Sequence, residues 1–320
     1  MVTMLQKALL FPLIFGLSSF AFIQSQEYQT SSLTPTSSTL KYHGGPLLTR
    51  PRGVNVYLIW YGAFSRPNRA SITDFFASFN PLKSHLPHQE PSVAAWWRAI
   101  RSYQDSSGKP VSTTARLIKQ VGDIYSLGKK IKRAQIAALI KNKISNKIFP
   151  LDSNGIYLVL TAKDVSVERF CMGSCGFHDS IQVSEKTRVV YGHVGDSLAQ
   201  CPGLCAWPYA IPENGPPGKA RLAPNGVESD GMVINIGAVL VGAVTNPYKT
   251  GYFQGDALAP LEAVTACSGI FGVGAYPGYP GDLLVDKSSN ASYNLYGVNG
   301  RKFLLPAVWD LHSFNCKVIA

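Results

Sequence analysis

Histidines and carboxylates are the side chains of this chain whose types could carry hydrolytic or metal chemistry, and they are sparse. The 320 residues include six histidines and 19 carboxylates. No spacing among them forces a mechanism: there is no Gly-x-Ser-x-Gly elbow, phosphate loop, dinucleotide fingerprint or His-Glu-x-x-His. His178 and Asp179 stand together in CGFHDS, and His193 lies in YGHVGDS just ahead of Asp196. If those stretches are neighbours in space, His178, Asp179, His193 and Asp196 gather into a small cluster. Its chemistry would be acid–base work, or metal binding through His178 and His193. The plainer reading has the same groups ordering loops through hydrogen bonds. A glycosidase needs two carboxylates at a set separation, which spacing alone does not supply. Glu262 and Asp282, in glycine-rich surroundings, are the candidates for that role. A hydrolase built on this chain would use His178, Asp179 and Glu262.

The cysteines carry redox information. They fall as CMGSC (Cys171, Cys175), CPGLC (Cys201, Cys205), Cys267 and Cys316. Of the fifteen possible connectivities, the simplest joins Cys171 to Cys175, Cys201 to Cys205 and Cys267 to Cys316. The alternative is a four-thiolate zinc site from the two close pairs; the three-residue spacing and an oxidising compartment weigh against it. That compartment is implied by the N-terminus, where MVTMLQK leads into apolar ALLFPLIFGLSSFAFI and then polar SQEYQ. The pattern is that of a secretory signal peptide over residues 1–25, cleaved between about Ala21 and Ser25. A membrane anchor is the rival, weakened by Pro12. Residues 26–40 are rich in Ser and Thr and read as a mobile arm, and residues 41–320 as a single domain. Asn290-Ala291-Ser292 is a glycosylation sequon in a polar stretch.

The formal charge of +11 needs partners of opposite sign. Outside a cell these are acidic polysaccharide or lipid head groups rather than nucleic acid, and no Arg–aromatic interleaving of a base-stacking kind is present. The densest positive stretch holds Lys129, Lys130, Lys132, Arg133, Lys141, Lys143 and Lys147. It reads either as a polyanion contact or as a solvated helix face.

The elements that must position these groups are legible from apolar patterning. Asn55–Tyr61, Leu117–Tyr125, Gly155–Thr161 and Thr187–Gly192 read as strands rich in β-branched and aromatic residues. Ser71–Phe79, a segment from Pro91 to Ile100, Ile136–Ile144 and a short piece at Leu261–Ala266 read as helices. Trp96 and Trp97 face different directions on such a helix, so one packs inward, while the other reads first as core or interface packing and second as a sugar platform. The chain is organised around Gly231–Val244, whose only strongly polar side chain is Asn235. It is shorter than the roughly 20 apolar residues of a membrane span. Its β-branched residues and glycines favour a central strand, while its length, Asp230 before it and Pro247 after it favour a buried helix. As a helix it would align Ile234, Ala238 and Gly242 on one close-packing face. The fold class is α/β or α+β, a largely buried mixed sheet flanked by helices, with a loop-rich, disulfide-stapled C-terminal part.

Several long irregular motifs carry a family resemblance. AWWRAI, YGHVGDSLAQCPGLCAWPY, LAPNGVESDGMVINI, TNPYKTGYFQGDALAPLEAVTACSGIFG and NLYGVNGRKFLLPAVWD resemble the plant phosphate-induced protein 1, or EXORDIUM-like, family over about residues 40–318. The resemblance implies a secreted apoplastic or wall protein tied to brassinosteroid-responsive growth and cell expansion, with no cofactor. Its partners would be acidic wall polysaccharide, an apoplastic peptide or a receptor ectodomain. The sequence departs from the family pattern at His193, where tryptophan is usual, and in the 129–133 stretch, where the pattern is more acidic. A more distant resemblance, to zinc-peptidase-like helices of bacterial proteins, aligns a metal-binding His with Ala238, a catalytic Glu with Val239 and a second Glu with Gly242. None of those three can bind zinc or deprotonate water, so this resemblance implies a zincin-like scaffold without its metal centre.

Overall fold

Alternation along the two most apolar strands explains the architecture. In β1 (Val54–Tyr61), Val54, Val56, Leu58 and Trp60 point into one core cluster, while Tyr57, Ile59 and Tyr61 point into another. β3 (Gly155–Thr161) repeats the division with Ile156, Leu158 and Leu160 against Tyr157 and Val159. A sheet buried on both faces leaves few positions for polar residues, here Asn55 and Thr161 near strand ends, which is why these strands read as near-continuous apolar runs. The structure is a computed structural model that describes residues 39–80, 89–216 and 218–319, all within the unit Pro35–Ala320. The expected signal peptide, and the arm up to residue 38, lie outside the described residues.

Three further strands complete the sheet: β2 (Ala115–Asp123), β4 (Gly176–Ser184) and β5 (Thr187–Gly195). The order is β2-β1-β3-β5-β4, with the first four parallel and edge strand β4 antiparallel to β5. On one face lie α1 (Arg66–Ser78), α2 (Val93–Arg98) and the long α4 (Val227–Thr245); on the other lies α3 (Arg133–Ser145). Serine caps set two of these starts, Ser65 Oγ accepting from the Asn68 N–H and Ser92 Oγ from the Ala95 N–H, each at 3.2 Å. This is the expected mixed sheet flanked by helices. Strand β4 is the element that apolar patterning misses, because GFHDSIQVS is a half-exposed edge. The short helix expected at Leu261–Ala266 is instead a single 3₁₀ turn at Thr265–Cys267.

The organising segment is helical, and α4 begins earlier than its apolar run, at Val227. At 19 residues it is long and apolar enough to cross a membrane by length and composition, yet it packs inside the fold. Close approach does not follow the single face expected. Ala238 is half-buried, and Ile234 sits in a separate small cluster with Tyr209, Phe271 and Leu304. The tight positions are Gly231, where a Cβ would lie 2.7 Å from Ala206, Gly237, where it would lie 2.9 Å from Leu305, and Gly242. Trp96 and Trp97 are both buried, their indoles donating to Pro306 O at 2.7 Å and Ser112 O at 2.8 Å. Neither forms a sugar platform.

The disulfides correct the local pairing. Cys171 is joined to Cys201 and Cys175 to Cys205, each across 30 residues, while Cys267 is joined to Cys316. The two parallel bridges clamp the segment before β4 to the one-turn helix Pro202–Cys205 after β5. Because β4 and β5 form a hairpin, that turn of chain returns beside CMGSC, and proximity in space overrides proximity in sequence. The same pairing rules out a four-thiolate zinc site.

Candidate functional site

The antiparallel register of β4 and β5 decides which histidines can meet. His178 lies opposite Gly192, and Phe177 opposite His193. Side chains alternate between faces, so His178 and His193 project to opposite sides of the sheet. They cannot share a metal ion, and the expected cluster of His178, Asp179, His193 and Asp196 does not form. His193 is buried between Phe170 and Phe177, with Nε2 2.9 Å from Thr161 Oγ1. Burial, with Arg133 adding to it, pushes its pKa down to about 3, so it stays neutral. Asp196 is buried beyond the end of β5 and accepts from the Leu198 N–H at 2.9 Å. Burial, then Glu228 facing it, pushes its pKa up to about 7.

On the α4 side of the sheet the outcome differs. His178 Nε2 lies 2.9 Å from both carboxylate oxygens of Glu262. Glu262 Oε1 also accepts from Asn246 Nδ2 at 2.7 Å, and Asn246 Oδ1 accepts from the Gly251 N–H at 2.8 Å. Asn246 is the residue that ends α4, and the Glu262 N–H donates to Thr265 Oγ1 at 2.7 Å. Thus three segments distant in sequence (edge strand, helix end and the loop after it) meet at one carboxylate. Gly242 makes room for the meeting. A Cβ there would overlap Glu262 Oε2 and stand 2.9 Å from His178 Nε2.

This bears directly on the helix positions that a zinc peptidase would use. Val239 packs against Gly176 and Gly192, and the place of a second glutamate at Gly242 is filled by the Glu262 carboxylate arriving from outside the helix. Among the described residues, no group of three or more His, Cys, Asp or Glu side chains is placed to hold a metal ion. For His178, burial opposes the charged imidazolium, but the charge and hydrogen bond of Glu262 outweigh it and raise the pKa. The contact with Glu262 thus favours the protonated imidazole, and both side chains are less than a tenth exposed. A His–Glu pair can move protons only for a substrate that reaches it. Here the remaining ring nitrogen, Nδ1, is buried without a partner among the described residues.

Of the three expected hydrolase residues, His178 and Glu262 converge and Asp179 does not join them. Asp179 pairs with Lys249 at 3.2 Å in a more exposed position. Asp282 is exposed and accepts from the Tyr279 hydroxyl at 2.5 Å, with no partner in common with Glu262. Sequence reasoning missed Asn246, for which the only signal was its place between the apolar run and Pro247.

The basic stretch divides. Lys129 pairs with Asp164 at 2.7 Å and Lys143 with Asp123 at 2.9 Å, while the Arg133 guanidinium lies 4.2 Å over the Phe177 ring. Lys130, Lys132, Lys141 and Lys147 are exposed and make no ion pair among the described residues. Asn290 is exposed in a turn in which its N–H donates to Asp286 O at 2.8 Å.

Comparison with known proteins places these features in a family. Residues 40–319 match the family described as the Phosphate-induced protein 1 conserved region. The chain is 45% identical to Protein PHOSPHATE-INDUCED 1 of Nicotiana tabacum over 292 residues, covering 89% of this chain and 90% of the relative. Protein EXORDIUM-like 2 and Protein EXORDIUM of Arabidopsis thaliana are each 44% identical, over 88% of this chain and 89% of the relative. No solved structure matches the chain.

Proposed function

The chain belongs to the phosphate-induced protein 1 family, and from that membership we propose that it is a secreted, non-catalytic protein of the plant apoplast or cell wall. It acts in brassinosteroid-responsive growth and cell expansion by binding, with acidic wall polysaccharide the partner its charge favours. An apoplastic peptide or a receptor ectodomain would be read by the same exposed surface. The observation that carries the reading is the closed His178–Glu262 centre. The space above Gly242 is occupied by the protein's own carboxylate, and Ala238 and Val239 offer neither a metal ligand nor a base.

The net charge of +11 and the unpaired Lys130, Lys132, Lys141 and Lys147 support attraction to a polyanion. The test is retention of the mature protein on demethylated pectin. Binding at low ionic strength should be released as salt shortens the screening length from about 10 Å at 0.1 M to about 3 Å at 1 M. Changing the four lysines to glutamine should weaken retention at low salt; unchanged retention would remove the lysine face from the reading.

A second reading, a wall hydrolase, draws its support from the 2.9 Å contact between His178 and Glu262. It requires the loop carrying Glu262 to move away from the end of α4 so that substrate reaches the pair.

A further inference from the structure

At the opposite end of the sheet from the C-terminal strand ends, the sequence Arg50-Pro51-Arg52-Gly53 makes a tight turn into β1. The Gly53 N–H donates to Arg50 O at 3.1 Å, and Pro51 sits where a fixed φ suits a turn. Gly53 itself has φ +97, and a Cβ there would lie 2.5 Å from Thr114 Cγ2. The turn is thus pressed against the residues that lead into β2, the Val54 N–H donating to Thr114 O at 2.8 Å. In register, Asn55 lies opposite Arg116. The result is a surface pocket of about 430 Å³ lined by Arg50, Pro51, Arg52 and Arg116. That volume lies within the range of small-molecule sites.

The charges around the pocket do not cancel. Asp152 binds Arg50, but its oxygens also accept from Asn55 Nδ2 at 2.9 Å and the Tyr57 hydroxyl at 3.0 Å. Arg116 donates to the neutral Asn55 Oδ1 at 3.0 Å, and Arg52 is exposed with no ion pair among the described residues. Two of the three guanidinium charges are therefore uncompensated. In addition, Nε of Arg50 and Nε of Arg116 are buried without an acceptor among the described residues. Buried donors in folded proteins are nearly always paired, so two orphans on one pocket wall mark an acceptor that the described residues do not provide. A planar guanidinium fork with an unused edge fits the two oxygens of a carboxylate or phosphate.

We propose that the Arg50–Gly53 turn and Arg116 form a binding pocket for the oxyanion of a small carboxylate or phosphate ligand. Side-chain rotation at the pocket wall presents the free Nε edges, and Arg52 closes over the ligand from the solvent side. The site is separate from the lysine face and stands or falls independently of polymer binding.

Titration calorimetry on the full mature protein, at fixed ionic strength, tests it with galacturonic acid, inorganic phosphate and neutral galactose as probes. At least one of the two anions should bind saturably at one site, and galactose should not. A response to galacturonate alone assigns the ligand to the carboxylates, and a response to phosphate alone assigns it to the phosphates. Arg52→Gln, at a side chain that anchors nothing, should weaken binding about tenfold or more with an unchanged melting temperature. Arg116→Gln should abolish it, while Lys130→Gln with Lys132→Gln should leave it intact. No saturable binding of either anion, or equal affinity in the Arg52 and Arg116 variants, would overturn the proposal.

Discussion

At the residue scale, the structure turns on a missing side chain. Gly242 carries none, and its bare backbone is what lets Glu262 and His178 meet over α4. Gly242→Ala should therefore destabilise the protein by overpacking, by about 1–3 kcal/mol in chemical denaturation. Ala238→Val should do less, because Ala238 is half-buried and its surroundings can give. Equal losses at the two positions would mean that the polar pair is not what Gly242 accommodates. His178 and Glu262 were legible as candidates from residue type alone. Their contact was not, since it depends on a loop returning from beyond the helix. His193 was misplaced for a simpler reason: once CGFHDS is a strand paired with YGHVGDS, period-two geometry separates the two histidines onto opposite faces.

At the element scale, the interior strands were readable because burial on both faces writes itself as unbroken apolar sequence. Edge strand β4 was not, because its alternation is weak and polar. Missing that hairpin also hid the disulfide pattern, since only the hairpin carries Cys201 and Cys205 back to Cys171 and Cys175. Peptide mapping without reduction should recover Cys171–Cys201, Cys175–Cys205 and Cys267–Cys316. Recovery of Cys171 bridged to Cys175 would contradict the hairpin clamp. Each bridge across 30 residues is worth about 3–4 kcal/mol on a chain-entropy estimate, and the second of the parallel pair adds less because the first already restrains the same loop. The helical state of α4 was balanced against a strand in the sequence. What settles it is its place as an apolar rod across one sheet face, where a helix hydrophobic on all sides is at home.

At the scale of the whole molecule, buried ionisable groups set a pH response. Burial pushes Asp196 and Asp230 up to about 7, with Glu228 also raising Asp196 and the hydrogen bonds from Asn225 partly offsetting the rise at Asp230. A carboxyl whose folded pKa is raised holds its proton in the fold while the unfolded chain releases it. Its stabilising contribution is complete below about pH 4 and is lost as pH rises through about 7. His178, also raised, acts in the same direction above its ordinary value near 6.5. His193, depressed to about 3, opposes them as pH falls below about 6.5. Two carboxyls and one histidine outweigh one histidine between pH 8 and pH 5, so the melting temperature should be higher at pH 5 than at pH 8. A higher value at pH 8 would contradict the protonated, buried state of Asp196 and Asp230. The charge of +11 was plain in the sequence, but which lysines are free was not. That depended on Asp164 and Asp123 coming within reach of Lys129 and Lys143.

The proposed function makes the chain a binding protein whose His–Glu centre is closed to substrate. The most direct measurement incubates the mature protein with demethylated pectin and follows bound protein and polymer chain length in the same sample. Saturable, salt-reversible binding with no change in chain length is expected for the wild type and for His178→Ala alike. Shortening of the polymer by the wild type, abolished in His178→Ala and Glu262→Gln variants that remain folded, would contradict it.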